Sequence, residues 1–322
     1  MIKDIISNLR LPIISAPMFL VSGPDLVVAA CKSGVIGSFP TPNCRTKEDL
    51  EAWMASISTQ LEEAKARDPK ANIAPWAANL VTHSSNARLA DDLALVAKYK
   101  PAIVITALGS PLPAMQVVKS YGGMVFADVV NIKLAKKAAE ANVDGLVCVS
   151  AGAGGHTGQL SPFAFVSAVR EFFAGTIVVG GGISDGAGIA GALAAGADMA
   201  YLGTRFLAST EAIASKDYKQ MVVDHGPDDL IVSDAITGTH ASWLRPSLVA
   251  NGLDPDTLVK GPGGRNYNSV DQTALKKWKD VWAAGQGLQT IRAVEPVSQI
   301  VDRLEAEFSA AREDFLSKVA RS

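Results

Sequence analysis

The chain has little of several things that would fix its class at once. It has three cysteines among 322 residues, Cys31, Cys44 and Cys148, which are scattered and lack metal-ligand spacing. An odd count without a secretion signal fits a reducing cytoplasm. The net charge is only −2, which gives no argument for nucleic acid or an anionic membrane as partner. No apolar run is long enough to span a bilayer. The opening MIKDIISNLRLPII carries Asp4 and has neither a signal-length apolar core nor a small-residue cleavage site. No His/Asp/Glu cluster has the spacing of a metal site, and no GxSxG elbow is present. Internal repeats and low-complexity tracts are absent as well. These absences lead us to expect a cytoplasmic protein that holds no metal and binds neither nucleic acid nor membrane.

What the chain does have is apolar residues, 48% of the total against 19% charged, ample for a sizeable core. They come in short runs. Residues 11–16, 35–39, 72–80, 102–108, 124–130, 145–149, 176–179 and 199–202 read as strands. Between them, 24–32, 84–98, 112–120, 131–141, 163–172 and 185–196 read as helices. So does the stretch behind Thr46-Lys47-Glu48-Asp49, a capping box with Asp in place of Glu, which puts Leu50, Trp53, Met54, Ile57 and Leu61 on one face. Eight strands alternating with helices over roughly two hundred residues predict an α/β chain folded as a (β/α)8 barrel, rather than a doubly wound open sheet.

After the eighth strand the regularity fails. Residues 208–290 are less apolar and contain Gly-Pro-Asp-Asp at 226–229, a PGG turn at 262–264, and Trp243, Trp278 and Trp282. That length is too great for a barrel loop and short for a free domain. The reading is a mainly helical cap at 208–290, inserted over the C-terminal face of a barrel formed by 1–207 and 291–322. Val297, Val301, Leu304, Phe308, Ala311, Phe315 and Val319 form a stripe, the mark of the eighth barrel helix.

In such a barrel, chemistry sits at the C-terminal strand ends. The sixth strand opens into VSAGAGGHTGQLSP, residues 149–162, a loop with Gly152, Gly154, Gly155 and Gly158 around His156. Glycines bring backbone N–H groups close to a ligand, and a histidine among them is readily tuned for proton exchange. Ser161 and Pro162 read as the cap and first residue of the next helix. The seventh and eighth strands end in GGGISDG and GTRF, where Gly180, Gly181, Gly182, Gly203 and Thr204 form an anion cradle, with the helix from Asp185 aimed at it. Asn79 ends the third strand and suits a planar heterocycle, or simply a turn. Ala16, Pro17 and Met18 end the first and offer backbone contacts and an apolar wall. Asp128 ends the fifth, to hold a lysine or a ring N–H, or as a structural cap. His83 reads as a solvated helix-start residue, His225 as a turn, and His240 as a plain surface position of the cap or one that reaches the site. Strand alternation buries Cys148 in the barrel wall.

Taken in order, PIISAPM, AGAGGHTG, GGGI, GTRF and WAAGQG (282–287) resemble the nitronate monooxygenases, formerly 2-nitropropane dioxygenases. The resemblance spans nearly the whole chain. It implies an FMN-dependent (β/α)8 enzyme that oxidises alkyl nitronates, or nitroalkanes, with O2 and without nicotinamide. It further implies His156 as base or substrate-orienting group, a phosphate grip at Gly180, Gly182, Gly203 and Thr204, and ring contacts at Ala16, Pro17, Met18 and Asn79. Asp128, Ala151, Gly152, Gly155 and Gly181 join the candidate cofactor contacts. One departure stands out: family members often carry an acidic residue four positions before the histidine, where this chain has Gly152. Related flavin barrels share the GGH core, so an NAD(P)H-dependent FMN reductase of quinones or enoyl thioesters is the alternative. A non-catalytic flavin-binding protein ranks below both. A homodimer is compatible with the composition.

Overall fold

A computed structural model describes residues 2–258 and 279–320. Eight strands close into a parallel barrel: β1 (Ile13–Ser15), β2 (Ile36–Pro40), β3 (Trp76–Val81), β4 (Ile103–Ala107), β5 (Met124–Val129), β6 (Gly145–Val149), β8 (Thr176–Gly180) and β9 (Met199–Leu202). The two-residue strand β7 (Gly155–His156) lies outside the barrel. Pairing of Ile14 with Tyr201 and of Ser15 with Leu202 completes the ring. The helices are α1 (Ile2–Ser7), α2 (Pro24–Lys32), α3 (Lys47–Arg67), α4 (Leu89–Tyr99), α5 (Leu112–Ser120), α6 (Ile132–Glu140), α7 (Pro162–Arg170), α8 (Gly186–Ala194) and α9 (Thr204–Leu207). The (β/α)8 architecture expected from the alternation is the one found.

Side-chain alternation along each strand decides which residues reach the interior. Ile14, Ile36, Ala77, Ile103, Ile105, Met124, Phe126, Val147, Val178 and Met199 pack together inside the barrel. Residues of the opposite phase, such as Val104, Val125, Leu146, Cys148 and Ile177, pack beneath the helices. The lower end is plugged by Ile2, Ile5, Ile6 and Leu9 of the N-terminal segment, in which the sequence reading assigns no helix.

Several boundaries differ from expectation for local reasons. Thr46 and Asp49 do form the capping box ahead of α3. By contrast, α4 starts at Leu89 rather than at 84, because the Asn86 side chain ties itself to the Val81 carbonyl and the Arg88 N–H. Side chains of that kind compete with helix formation. His83 therefore caps no helix.

The insertion contains α10 (Lys216–Asp224), β10 (Leu230–Ser233), β11 (Ala241–Leu244) and α11 (Arg245–Ala250). Helices are present as expected, but β10, β11 and β7 also form a three-stranded antiparallel sheet, which the sequence reading does not anticipate. The PGG turn and Trp278 lie outside the described residues. The final helix α12 (Val297–Val319) packs on α8 and α2. It buries Val297, Ile300, Val301 and Leu304, whereas Phe315 and Val319 are about half exposed, so the expected stripe leaves the core after Phe308. Among the described residues, no helix is long and apolar enough to cross a membrane.

Candidate functional site

The residues two positions beyond the interior core point the same way and form the floor of a cavity at the C-terminal end of the barrel. Ala16, Asn79, Ala107, Asp128, Val149, Gly180 and Tyr201 all line it, and its volume is about 2170 Å3. Asn79 donates through Nδ2 to the Ile105 carbonyl at 3.1 Å and to Asp128 Oδ2 at 3.4 Å. Asp128 Oδ1 and the Tyr201 hydroxyl are sealed from solvent and have no hydrogen-bond partner among the described residues. Buried polar atoms without partners are rare, because each costs roughly 1–3 kcal/mol. Among the described residues no lysine pairs with Asp128, whose hydrogen-bond partner is Asn79.

Burial pushes the Asp128 carboxyl up to about 7, with the Asn79 amide pulling the other way. An unfolded aspartate loses its proton near pH 4. Between about pH 4 and pH 7 the folded chain keeps a proton that the unfolded chain has released, so stability falls as pH rises through that window. The full window corresponds to on the order of 4 kcal/mol, an upper bound because part of the residue faces the cavity. Asp128→Asn removes the decline. Urea unfolding of the apoprotein should show the variant gaining on the wild type as pH rises from about 5 to about 8. Parallel pH profiles would refute the neutral carboxyl.

Beside this floor, the loop after β6 is folded by its glycines. Gly152 has φ +87 and its carbonyl accepts from the N–H groups of Gly182 at 3.0 Å and Gln286 at 2.9 Å. A Cβ at 152 would lie 2.8 Å from Gln286 Oε1, the movable end of a side chain, but the positive φ strains any residue that carries a Cβ there. Ala151 is not on the cavity wall, and its N–H is bound to the Leu160 carbonyl, so it is not free to hold a cofactor. Gly155 and His156 do line the cavity. His156 is half-buried and held opposite Ala241 by the β7–β11 pairing. His240 also lines the cavity, its carbonyl accepting from the Thr157 N–H, so of its two readings the one that reaches the site holds. His225 lies in extended backbone just after α10 (φ −118, ψ 163) with its Nδ1 in contact with the Met221 carbonyl, so it closes that helix and does not form the turn expected. Burial pushes the Cys148 thiol up to about 12 behind the barrel wall, consistent with an inert side chain.

The glycine loops after β8 and β9 meet at one side of the cavity. A Cβ at Gly181 would strike the Ala151 carbonyl at 2.5 Å. At Gly203 it would meet Met18 Sδ at 3.6 Å and Ala16 Cβ at 3.8 Å, ordinary van der Waals contact, so protein packing does not require that glycine. The donors are not all those expected. The Gly182 N–H is taken by Gly152, and the first turn of α8 is taken by Asp185 on Gly188 and Glu307 on Gly186. The α8 dipole is thus satisfied by carboxylates and does not serve the cradle. Among the described residues, the N–H groups of Ile183 and Thr204 donate to no acceptor. Thr204 Oγ1 accepts from Gly285 N–H at 2.9 Å, which leaves its own proton to donate.

Segment 283–287 of the insertion closes the cradle from above. Besides the Gly285 and Gln286 bonds, Ser184 donates to the Gly287 carbonyl at 2.7 Å and Ser242 to the Ala284 carbonyl at 2.8 Å. Tyr218 stacks on Trp282 with ring centroids 5.0 Å apart and bonds both backbone groups of Ala283. The end of β1, the strand paired with β9, supplies the adjoining wall. The Met18 N–H is bound to Ser22 Oγ, and Asn43 holds the Met18 carbonyl and the Leu20 N–H. With the Met18 N–H already taken, Ala16, Pro17 and Met18 offer the cavity an apolar wall more than backbone donors.

Comparison with known proteins adds an independent line. The family model for nitronate monooxygenase matches residues 2–307. A nitronate monooxygenase from Paraburkholderia phytofirmans is 29% identical, over 94% of this chain and 93% of that protein. A (3aS,4S,5R,7aS)-5-hydroxy-7a-methyl-1-oxo-octahydro-1H-indene-4-carboxyl-CoA dehydrogenase from Rhodococcus jostii is 26% identical, over 86% of this chain and 75% of that one. Among solved structures, nitroalkane oxidase from Streptomyces ansochromogenes superposes with a TM-score of 0.78 at 23% identity, covering 96% of this chain and 99% of that one. FabK from Thermotoga maritima gives 0.78 at 22%, covering 98% of each. These two structural matches speak to the fold.

Proposed function

Because the chain belongs to the nitronate monooxygenase family, we propose that it is an FMN-dependent enzyme that oxidises alkyl nitronates with O2 to carbonyl compounds and nitrite. The family is flavin-dependent, and the residues present suit FMN in particular. Ile183 N–H, Thr204 N–H and the Thr204 hydroxyl would hold a phosphate. Asn79, Asp128 and Tyr201 line the floor over which a ring carrying both donors and acceptors would lie. The observation that carries the reading is that one cavity brings together Asn79, Asp128 and Tyr201 on its floor, the glycine cradle and His156.

Bound FMN supplies electron transfer that no side chain here provides. His156 takes the α-proton from a neutral nitroalkane or, once protonated, pairs with the anionic nitronate. The wall of Met18 and Leu20 keeps water from the reacting carbon. Two nitronates and one O2 balance two carbonyl compounds and two nitrites. The free, buried thiols of Cys31, Cys44 and Cys148 support a cytoplasmic setting.

The 26% identity to a carboxyl-CoA dehydrogenase favours a thioester as substrate, and so keeps in view the competing reading of a flavin enzyme of thioesters that a nicotinamide reduces. The purified protein should be yellow. Its anaerobic visible spectrum should change with propionate 3-nitronate and ignore both NADH and NADPH. Rapid bleaching by a nicotinamide would transfer the assignment to the reductase. A colourless protein that FMN cannot reconstitute would remove both.

A further inference from the structure

Away from the glycine cradle, the loop after β4 and the helices α5 and α6 present an apolar track. In the barrel order β4 and β5, which α5 and α6 follow, stand fourth and fifth, and β8 and β9, which carry the cradle, stand seventh and eighth, so the track lies two to four strand positions from the cradle. Leu108, Leu112, Ile132 and Leu134 line the same cavity as His156. Leu112 is 61% exposed and Leu134 39% exposed, although both are large apolar side chains.

The backbone holds this track in place. Leu108 sits at φ 62, in the left-handed region that a residue with a Cβ rarely adopts. Gly109 behind it presses on the next loop, where a Cβ would come within 2.3 Å of the Thr82 backbone. Lys100 and Asn142, also left-handed, sit at helix ends, where that conformation is ordinary. Leu20 and Leu108 have no such excuse, and both line the cavity. The outer end of the track is marked by the exposed charges of Lys133, Lys137 and Glu140.

We propose that Leu108, Leu112, Ile132 and Leu134 form a subsite for the alkyl chain of the substrate, so that the enzyme prefers long-chain nitronates over short ones. This rests on the nitronate reading above and names the substrate class for it. With the anion cradle on one side and the reacting group at the centre beside His156, a chain leaves the barrel mouth along the track. A chain seated there covers the exposed side chains of Leu112 and Leu134.

The test is kcat/KM for primary nitronates from nitroethane through 1-nitrooctane, with wild type and Leu112→Ser/Leu134→Ser. In wild type, kcat/KM should rise roughly twofold per methylene, against about fourfold for complete burial, because the track is open on one side. The double variant should cut the ratio of longest to shortest substrate by about tenfold, with thermal unfolding used to confirm folding. Both leucines are exposed, but if the double variant misfolds, the wild-type series decides alone. A flat series with the short nitronates still oxidised overturns the subsite and leaves the enzyme assignment standing. No turnover at any length overturns that assignment, and the subsite with it.

Discussion

His156→Asn is expected to lower kcat/KM on neutral nitroalkanes by about 10²–10⁴-fold, the usual worth of a positioned general base, while preformed nitronates lose far less. The two substrates differ by one proton. A nitroalkane must lose it at the α-carbon before oxidation, whereas a nitronate arrives without it. His156 is half-buried on the cavity wall, on a strand whose pairing with Ala241 does not depend on the imidazole. Asparagine keeps the side chain polar and of similar reach, so flavin content should be unchanged. Steady-state rates on a nitroalkane and its own nitronate, measured with the same enzyme batch, give the comparison. Equal losses on both would remove the base and leave only an orienting role toward the anion.

How far the sequence revealed this site depends on the kind of interaction. Asn79 and Asp128 are conspicuous because a polar residue at the end of an apolar strand contradicts its surroundings. Tyr201 escapes notice, since a tyrosine in MAYL reads as one more apolar residue. Its position two beyond the buried Met199 and its register with Gly180 would have placed its hydroxyl inward. The glycine loops are legible as flexible backbone, but which N–H groups stay available is not. That depends on the Gly152 carbonyl and on Glu307, which binds Gly186 from 121 residues away. The positions of His240 and Gln286 depend likewise on how the insertion folds back, and no local pattern encodes that. Gly152 is a different case. The sequence shows a missing carboxylate, and the structure gives the reason, a positive φ with the Gln286 side chain in the space.

Arg205→Met should destabilise the protein by about 3–5 kcal/mol, the cost of breaking a buried ion pair on one side. Arg205 follows Thr204 in the short helix α9, is 2% exposed, and donates to Glu295 Oε2 at 2.5 Å. Burial pulls its pKa down and Glu295 pushes it back up, so the guanidinium depends on that partner. Glu295 also binds Arg303 through its other oxygen, and its backbone bonds Ala208 and Thr210. One carboxylate thus joins the strand-eight loop of the cradle to the start of α12. Removing Arg205 leaves Glu295 buried with only the more exposed Arg303. Replacing both, as Arg205→Met/Glu295→Leu, removes the unpaired charge and should recover part of the loss, since a hydrophobic pair of similar volume is often no worse than a buried ion pair. Urea unfolding of the wild type, both single variants and the double variant isolates the coupling. FMN affinity should fall with Arg205→Met as well, because the helix that presents Thr204 is the one released. If the single variant lost less than about 1 kcal/mol, the pair would be behaving like an exposed surface bridge, and the rigidity of the cradle would have to come from segment 283–287 instead.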